Sequence, residues 1–270
     1  GGGKLTPEAL LQQHPVDSIR YWTGKGSPGV DTAFSEEQMK IGSRLQTKLW
    51  NAFRFVSQHL TEKPDRPEEE PDMVNQWLLA QCEQTRFAYA RMFDNAEYAR
   101  SLETVDHFFW HDFCDNYLEL IKDRIFNPEK YDKVQHAWTQ YTLYTVGYHL
   151  LQLYAPFVPY ITETLYQTLY RTHEKTASIH ATLLSIPEKN PDVDQTLLTT
   201  MQHVLHVVSE VRKQKSEAQC SLKTAVKKLT LTAPNAILQT ALQREETMLC
   251  GITKAVRCDV ALDQTLDGMT

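Results

Sequence analysis

Lys48, Asn51, Arg54 and Phe55 follow one another at helical spacing, which places them on one side of a helix within an arc of about 120°. A cation, an amide, a guanidinium and an aromatic ring on one face supply what an unpaired nucleotide needs: a counter-charge for phosphate, hydrogen-bonding groups for a base edge, and a platform for stacking. The opposite side of the same segment is apolar. Leu45, Leu49, Phe53, Val56 and Leu60 fall within about 80°. The periodicity by itself also suits an ordinary solvated helix face, with Phe55 tucked against a neighbouring helix.

Other chemistry is sparse. His107 and His111 share the i, i+4 spacing with which a helix can hold a metal, but Phe108 stands where the base of a His-Glu-x-x-His site would be. The aromatic residues between them read as core, so no metal is expected. A basic run, Arg212, Lys213 and Lys215, is followed by Lys223. The first three point to different sides of a helix, at roughly 0°, 100° and 300°. They still form a positive collar at the helix end that suits its dipole and could contact a nucleic-acid backbone, and a merely solvated helix end remains the alternative. No P-loop, Gly-x-Ser-x-Gly or dinucleotide fingerprint occurs. No catalytic residue is therefore assigned.

The elements that position these residues can be read from caps and breakers. Ser35 followed by Glu36 and Glu37 is a helix start, and the helix should run from there to about residue 60. Pro15 separates a short helix ending near Gln13 from another beginning near Val16. The run Gly24-Lys-Gly-Ser-Pro-Gly29 reads as a loop. Further helices are expected over about 71–93, 95–126, 132–154 and 160–172, interrupted at Pro64–Pro71, Asn127-Pro128 and Pro156/Pro159. From residue 192 the pattern changes: a helix of about 27 residues capped by Asp192 or Asp194, a strand over 225–232, a helix over 235–250 and a strand over 253–262. The expected architecture is mainly α, an antiparallel helix bundle with a small C-terminal α/β appendage. It is organised as 1–34, 35–190 and 191–270.

Composition bounds the rest. The chain has 270 residues, 41% of them hydrophobic, and a formal charge of −6. That is enough for a substantial core, and it excludes binding of nucleic acid by bulk charge, so any such contact must be local. Five cysteines without Cys-x-x-Cys spacing favour neither structural zinc nor a secreted disulfide framework and point to a reducing cytoplasm. No window has the apolar length of a membrane span. No cofactor is expected in this chain.

Several strings taken together resemble the class I valyl-tRNA synthetases. Lys48-Leu-Trp-Asn-Ala-Phe-Arg-Phe-Val56, preceded by Asp31-Thr-Ala-Phe34, is similar to the entry into their anticodon-binding helical domain. Asp17-Ser-Ile-Arg20-Tyr-Trp22 resembles the run after their ATP loop. Phe108-Phe-Trp-His-Asp-Phe-Cys-Asp-Asn-Tyr-Leu-Glu119, Tyr154-Ala-Pro-Phe-Val-Pro-Tyr-Ile-Thr-Glu163 and Ser178-Ile179 resemble later helices of the same domain. The resemblance implies the anticodon-binding part of a valine-tRNA ligase: Phe55 stacking on an anticodon base, Asn51 and Arg54 at base edges or backbone, and Lys48 on phosphate. It further implies tRNA(Val) as partner through its anticodon stem-loop, a catalytic domain packed on 1–34, ATP used in that domain, and a cytoplasmic monomer. The ATP-binding His-Ile-Gly-His and Lys-Met-Ser-Lys-Ser strings of the family are absent, so this chain alone should not activate an amino acid. Most valyl enzymes end in a coiled coil, a pattern from which the α/β tail here departs. Isoleucyl- or leucyl-type synthetases share the bundle, and a non-catalytic helical interaction module is the reading from another class.

Overall fold

The computed structural model describes residues 15–26, Gly29 and residues 35–263. The expected helix ending near Gln13 and the Asp31–Phe34 string lie outside the described residues. Among the described residues the chain is mainly α, with one small sheet. In order, its elements are α1 (Val16–Lys25), α2 (Glu36–Gln58), α3 (Met73–Asp94), α4 (Tyr98–His107), a π-helical stretch (Phe108–Tyr117), α5 (Leu118–Phe126), α6 (Lys133–Tyr154), α7 (Pro159–Leu169), α8 (Gln195–Glu217), β1 (Leu229–Ala233), α9 (Ala236–Arg244), α10 (Glu246–Thr253) and β2 (Cys258–Leu262). No described helix is long and apolar enough to cross a membrane.

Two compact units do not follow the linear order of the chain. The first takes the described residues up to Arg66 with Leu79–Asp112 and Gln140–Pro191; the second takes Pro67–Leu78, Phe113–Thr139 and the residues from Asp192 on.

In the first unit, α2 starts where its cap requires. Ser35 Oγ accepts from the Gln38 N–H at 3.2 Å, and Glu36 and Glu37 lie at the positive end of the helix dipole. α1 crosses α2 at Gly42, where an added Cβ would stand 2.8 Å from Ser18 Cα. α1 is held elsewhere by its own polar residues. Asp17, only 3% exposed, accepts from the Tyr160 and Ile161 N–H groups at 3.1 and 2.8 Å. A carboxylate thereby satisfies first-turn donors of α7, whose first residue is the donor-less Pro159. Arg20 Nη2 donates to the Pro156 carbonyl at 2.7 Å, and Tyr21 and Tyr154 both donate to Asp106. Glu163 Oε2 accepts from Ser178 Oγ and the Ile179 N–H at 2.8 and 3.0 Å. The strings around Asp17, Tyr154 and Ser178 thus meet one another in space.

One expected loop begins later than its glycines suggest. Gly24 lies inside α1, and a Cβ there would come within 2.7 Å of Phe157, so the position uses glycine for close packing and not for a turn. The helix through 98–126 also differs from a plain α-helix. Its middle ten residues are π-helical, yet Leu102, Val105, Phe109, Phe113, Tyr117 and Leu120 are all buried as their spacing predicts. Wider π turns hold residues four apart on one side as well as α turns do.

The second unit surrounds polar groups. Arg124, 0% exposed, donates through Nη1 to Asp72 Oδ2 at 2.8 Å and to Thr139 Oγ1 at 3.2 Å. Tyr117 Oη donates to Asn75 Oδ1 at 2.6 Å. Asp194, rather than Asp192, caps α8 by accepting from the Thr196 N–H at 2.8 Å. β1 and β2 pair in parallel, with Leu229 opposite Cys258 and Ala233 opposite Leu262, which the intervening helices allow. The helix expected over 235–250 is two helices. The chain tightens at Glu245, whose N–H bonds the Leu242 carbonyl three residues back at 3.1 Å, and α10 starts afresh.

Candidate nucleic-acid interface

α2 has the two faces its sequence requires. Leu45, Leu49, Phe53 and Val56 are at most 1% exposed. Leu60 lies past the helix end, which comes at Gln58. Asn51 and Arg54 are exposed, and Lys48 and Phe55 are half-buried. The four outward residues therefore share one accessible side, as side chains at these spacings must when the other side is core.

Two of the four have aromatic neighbours. Phe55 packs edge-on against His59, with ring centroids 4.7 Å apart and planes at 64°. Burial lowers the pKa of His59 and so favours the neutral form of this ring. Lys48 Nζ lies 5.4 Å from the centroid of the Trp110 ring, a distance at which the ring's quadrupole attracts a cation. Trp50, one turn before Arg54 and 49% exposed, adds a further aromatic surface. His59, Trp50 and Trp110 were not singled out by spacing. Trp50 and His59 lie beside the four on the helical wheel and were legible there. Trp110 comes from a distant part of the sequence and carried no local signal.

The first unit brings one more group of residues beside these four. Lys40, Ser43, Arg44, Thr47, Lys48, Asn51 and Trp110 line a shallow depression.

The basic residues of the second unit behave differently from one another. Arg212 Nη2 lies 4.0 Å from Glu119 Oε2. Lys213 is exposed. Lys215 is only 7% exposed, and its ammonium donates to the Leu222 and Thr253 carbonyls at 2.9 and 2.7 Å. Lys215, expected to contact a nucleic-acid backbone, instead turns its charge to these two internal acceptors. Lys223 is exposed and lines a depression with Lys130 and Lys254, but Asp123 and Glu246 line it too.

His107 and His111 have ring centroids 4.9 Å apart. Among the described residues there is no group of three or more His, Cys, Asp or Glu side chains arranged to hold a metal ion.

The family model described as the anticodon-binding domain of tRNA ligase matches residues 75–230. The chain is also similar to the valine--tRNA ligase of Ehrlichia canis (strain Jake), with 36% identity over 236 residues, covering 85% of this chain and 28% of that protein. The valine--tRNA ligase of Ehrlichia ruminantium (strain Gardel) is 35% identical over 267 residues, covering 95% and 31%. That of Rickettsia felis is 35% identical over 240 residues, covering 86% and 27%. The chain thus spans about 30% of the length of these relatives. The family match begins after α2, but a similarity covering 95% of the chain leaves too few residues outside it to omit α2. Because residues 75–230 are more than half of the 270, the chain belongs to the family of anticodon-binding domains of tRNA ligases.

Proposed function

We propose that the chain is the tRNA-binding part of a valine-tRNA ligase and that the outward face of α2 reads the anticodon of tRNA(Val). The observation that carries this reading is the coexistence, on one accessible face of a chain of this family, of Asn51, Arg54 and Phe55 beside Lys48. Phe55, steadied by His59, stacks on an anticodon base. Asn51 and Arg54 reach base edges or backbone, and Lys48 neutralises phosphate. The similarity to three valine--tRNA ligases supports valine over isoleucine or leucine. In this reading, attachment of valine with ATP takes place in a catalytic domain that packs on 1–34, residues 35–190 hold the anticodon, and the whole works as a cytoplasmic monomer.

Fluorescence anisotropy with the anticodon stem-loops of valine, isoleucine and leucine tRNAs tests it. The valine stem-loop should bind tightest. Phe55→Ala and Asn51→Ala should each weaken it by about 1 to 3 kcal/mol, which is roughly fivefold to 150-fold. Equal binding of the three RNAs would remove valine specificity from this face. Unchanged binding by both Phe55→Ala and Lys48→Glu would favour the interaction-module reading.

A further inference from the structure

Lys40, Arg44 and Lys48 stand four residues apart along α2. Each such step turns the helix by only about 40° and rises about 6 Å, so the three cations form a strip along one side, leading to Asn51. They line the shallow depression with Ser43, Thr47, Asn51 and Trp110, and among the described residues that line it none is acidic. Its hydroxyls are already engaged: Thr47 Oγ1 donates to the Ser43 carbonyl at 3.0 Å, and Ser43 Oγ lies 3.3 Å from Ser18 Oγ. Positive charge is what the depression offers. Lys40 and Arg44 are exposed along the strip, while the Lys48 ammonium sits over the Trp110 ring.

Trp110 reaches this place from the π-helical stretch, a backbone form that is uncommon and concentrates at functional sites. A lysine side chain is long and flexible. Attraction to the ring restricts it to the conformers that keep its charge on the strip.

We propose that this depression is a phosphate-binding subsite for an RNA backbone, in which Lys40, Arg44 and Lys48 neutralise phosphates and Trp110 is the positioning residue for the Lys48 ammonium. The proposal rests on the reading of α2 as an RNA-binding face. It adds a division of labour within that face: residues 40–48 hold backbone and residues 51–55 meet bases. A regular pitch of cations without carboxylates fits a repeating polyanion.

The test titrates the full 270-residue chain over a range of salt. The two probes are the valine anticodon stem-loop and a stem-loop of equal length with an unrelated loop. Lys40→Ala and Arg44→Ala should weaken both RNAs by the same factor and leave the preference between them intact. Each should lower the slope of log affinity against log salt by roughly 0.7 to 0.9 for every phosphate that is no longer neutralised. Lys48→Ala and Trp110→Ala should have matching effects, the double variant should be no weaker than Lys48→Ala alone, and Trp110→Phe should restore part of the loss. Unchanged salt slopes in both Lys40→Ala and Arg44→Ala overturn the subsite, and additive losses from Lys48→Ala and Trp110→Ala overturn the positioning role. Should Trp110→Ala not fold, Trp110→Phe against Lys48→Ala reads the same coupling. If the slopes fall as stated while the wild-type chain shows no preference between the two loops, the base-reading role of Asn51 and Phe55 fails and the phosphate subsite stands.

Discussion

The exposed cations of α2 and the buried cations of the second unit are the same residue types put to opposite uses. On α2, Lys40, Arg44 and Arg54 reach solvent, where a charge keeps its hydration and remains available to a ligand. In the second unit, Arg124 is 0% and Lys215 is 7% exposed, and each is tied to acceptors of the fold. Removing a charge from water costs several kcal/mol unless partners replace the lost hydration. An inward cation is therefore committed to structure, and an outward one is not. The difference arises from the helical register of each residue, and not from how many basic residues stand near it.

The inward set should respond most strongly to loss of a partner. Asp72→Ala leaves the Arg124 guanidinium buried without the carboxylate that its Nη1 meets at 2.8 Å. Breaking a buried pair from one side costs about 3 to 5 kcal/mol, so the urea midpoint of the second unit should fall sharply. A midpoint within error of the wild type would show that Arg124 is solvated in spite of its position, and the contrast with α2 would break.

The second test uses pH. Glu245 is 7% exposed; burial, reinforced by the nearby Asp72 charge and opposed by Arg124 and Arg244, pushes its carboxyl up from 4.5 to about 7. With the pKa raised in the folded state, the folded chain binds the proton more tightly than the unfolded one does. This contribution is fully present below about pH 4.5 and is lost as pH rises through about 7. The span corresponds to about 3 kcal/mol. Glu245→Gln should remove that fall, making the variant more stable than wild type at pH 8 and nearly equal to it at pH 4.5. Parallel curves for the two proteins from pH 4.5 to 8 would mean that Glu245 titrates alike in the folded and unfolded chain and that burial does not raise its pKa.

How much of this could be read in the chain itself follows the range of the interactions. The cap at Ser35, the helix start after Pro15, the breakers at Asn127-Pro128 and Pro159, and the buried stripe Leu45, Leu49, Phe53 and Val56 were legible because they act within one or two turns. So were the two late strands on either side of helical sequence. Short-range rules failed where a distant neighbour decided the outcome. Gly24 reads as a loop glycine until Phe157 is seen to press on it. The π-helical stretch leaves no mark on a spacing of four, and Lys48 gives no hint that Trp110 lies beneath it. Glu245 reads as a mid-helix residue, yet it ends one helix and precedes the next. Within the candidate site, the four outward residues were legible by register, and the strip Lys40, Arg44, Lys48 was open to the same reasoning. Its aromatic support was not.

The smallest expected effect is the most direct check on the contrast, because it compares neighbours on one helix. Lys213 is exposed and Lys215 is turned inward, although both belong to the same basic run. Lys215→Met should leave the salt dependence of RNA binding unchanged while lowering stability by about 1.5 to 3 kcal/mol in all, since two carbonyls lose a charged donor but the cost of burying the ammonium is removed too. Lys213→Ala should leave stability within about 0.5 kcal/mol. Its effect on RNA binding separates two accounts of the collar at the end of α8. A fall in salt slope of roughly 0.7 or more means that Lys213 touches phosphate and that the RNA extends beyond the α2 face. An unchanged slope means that the charge serves only the helix's own C-terminal dipole and that RNA binding is confined to outward cations of the α2 kind. A loss of salt slope in Lys215→Met with unchanged stability would reverse the assignment of inward and outward charge on which the comparison stands.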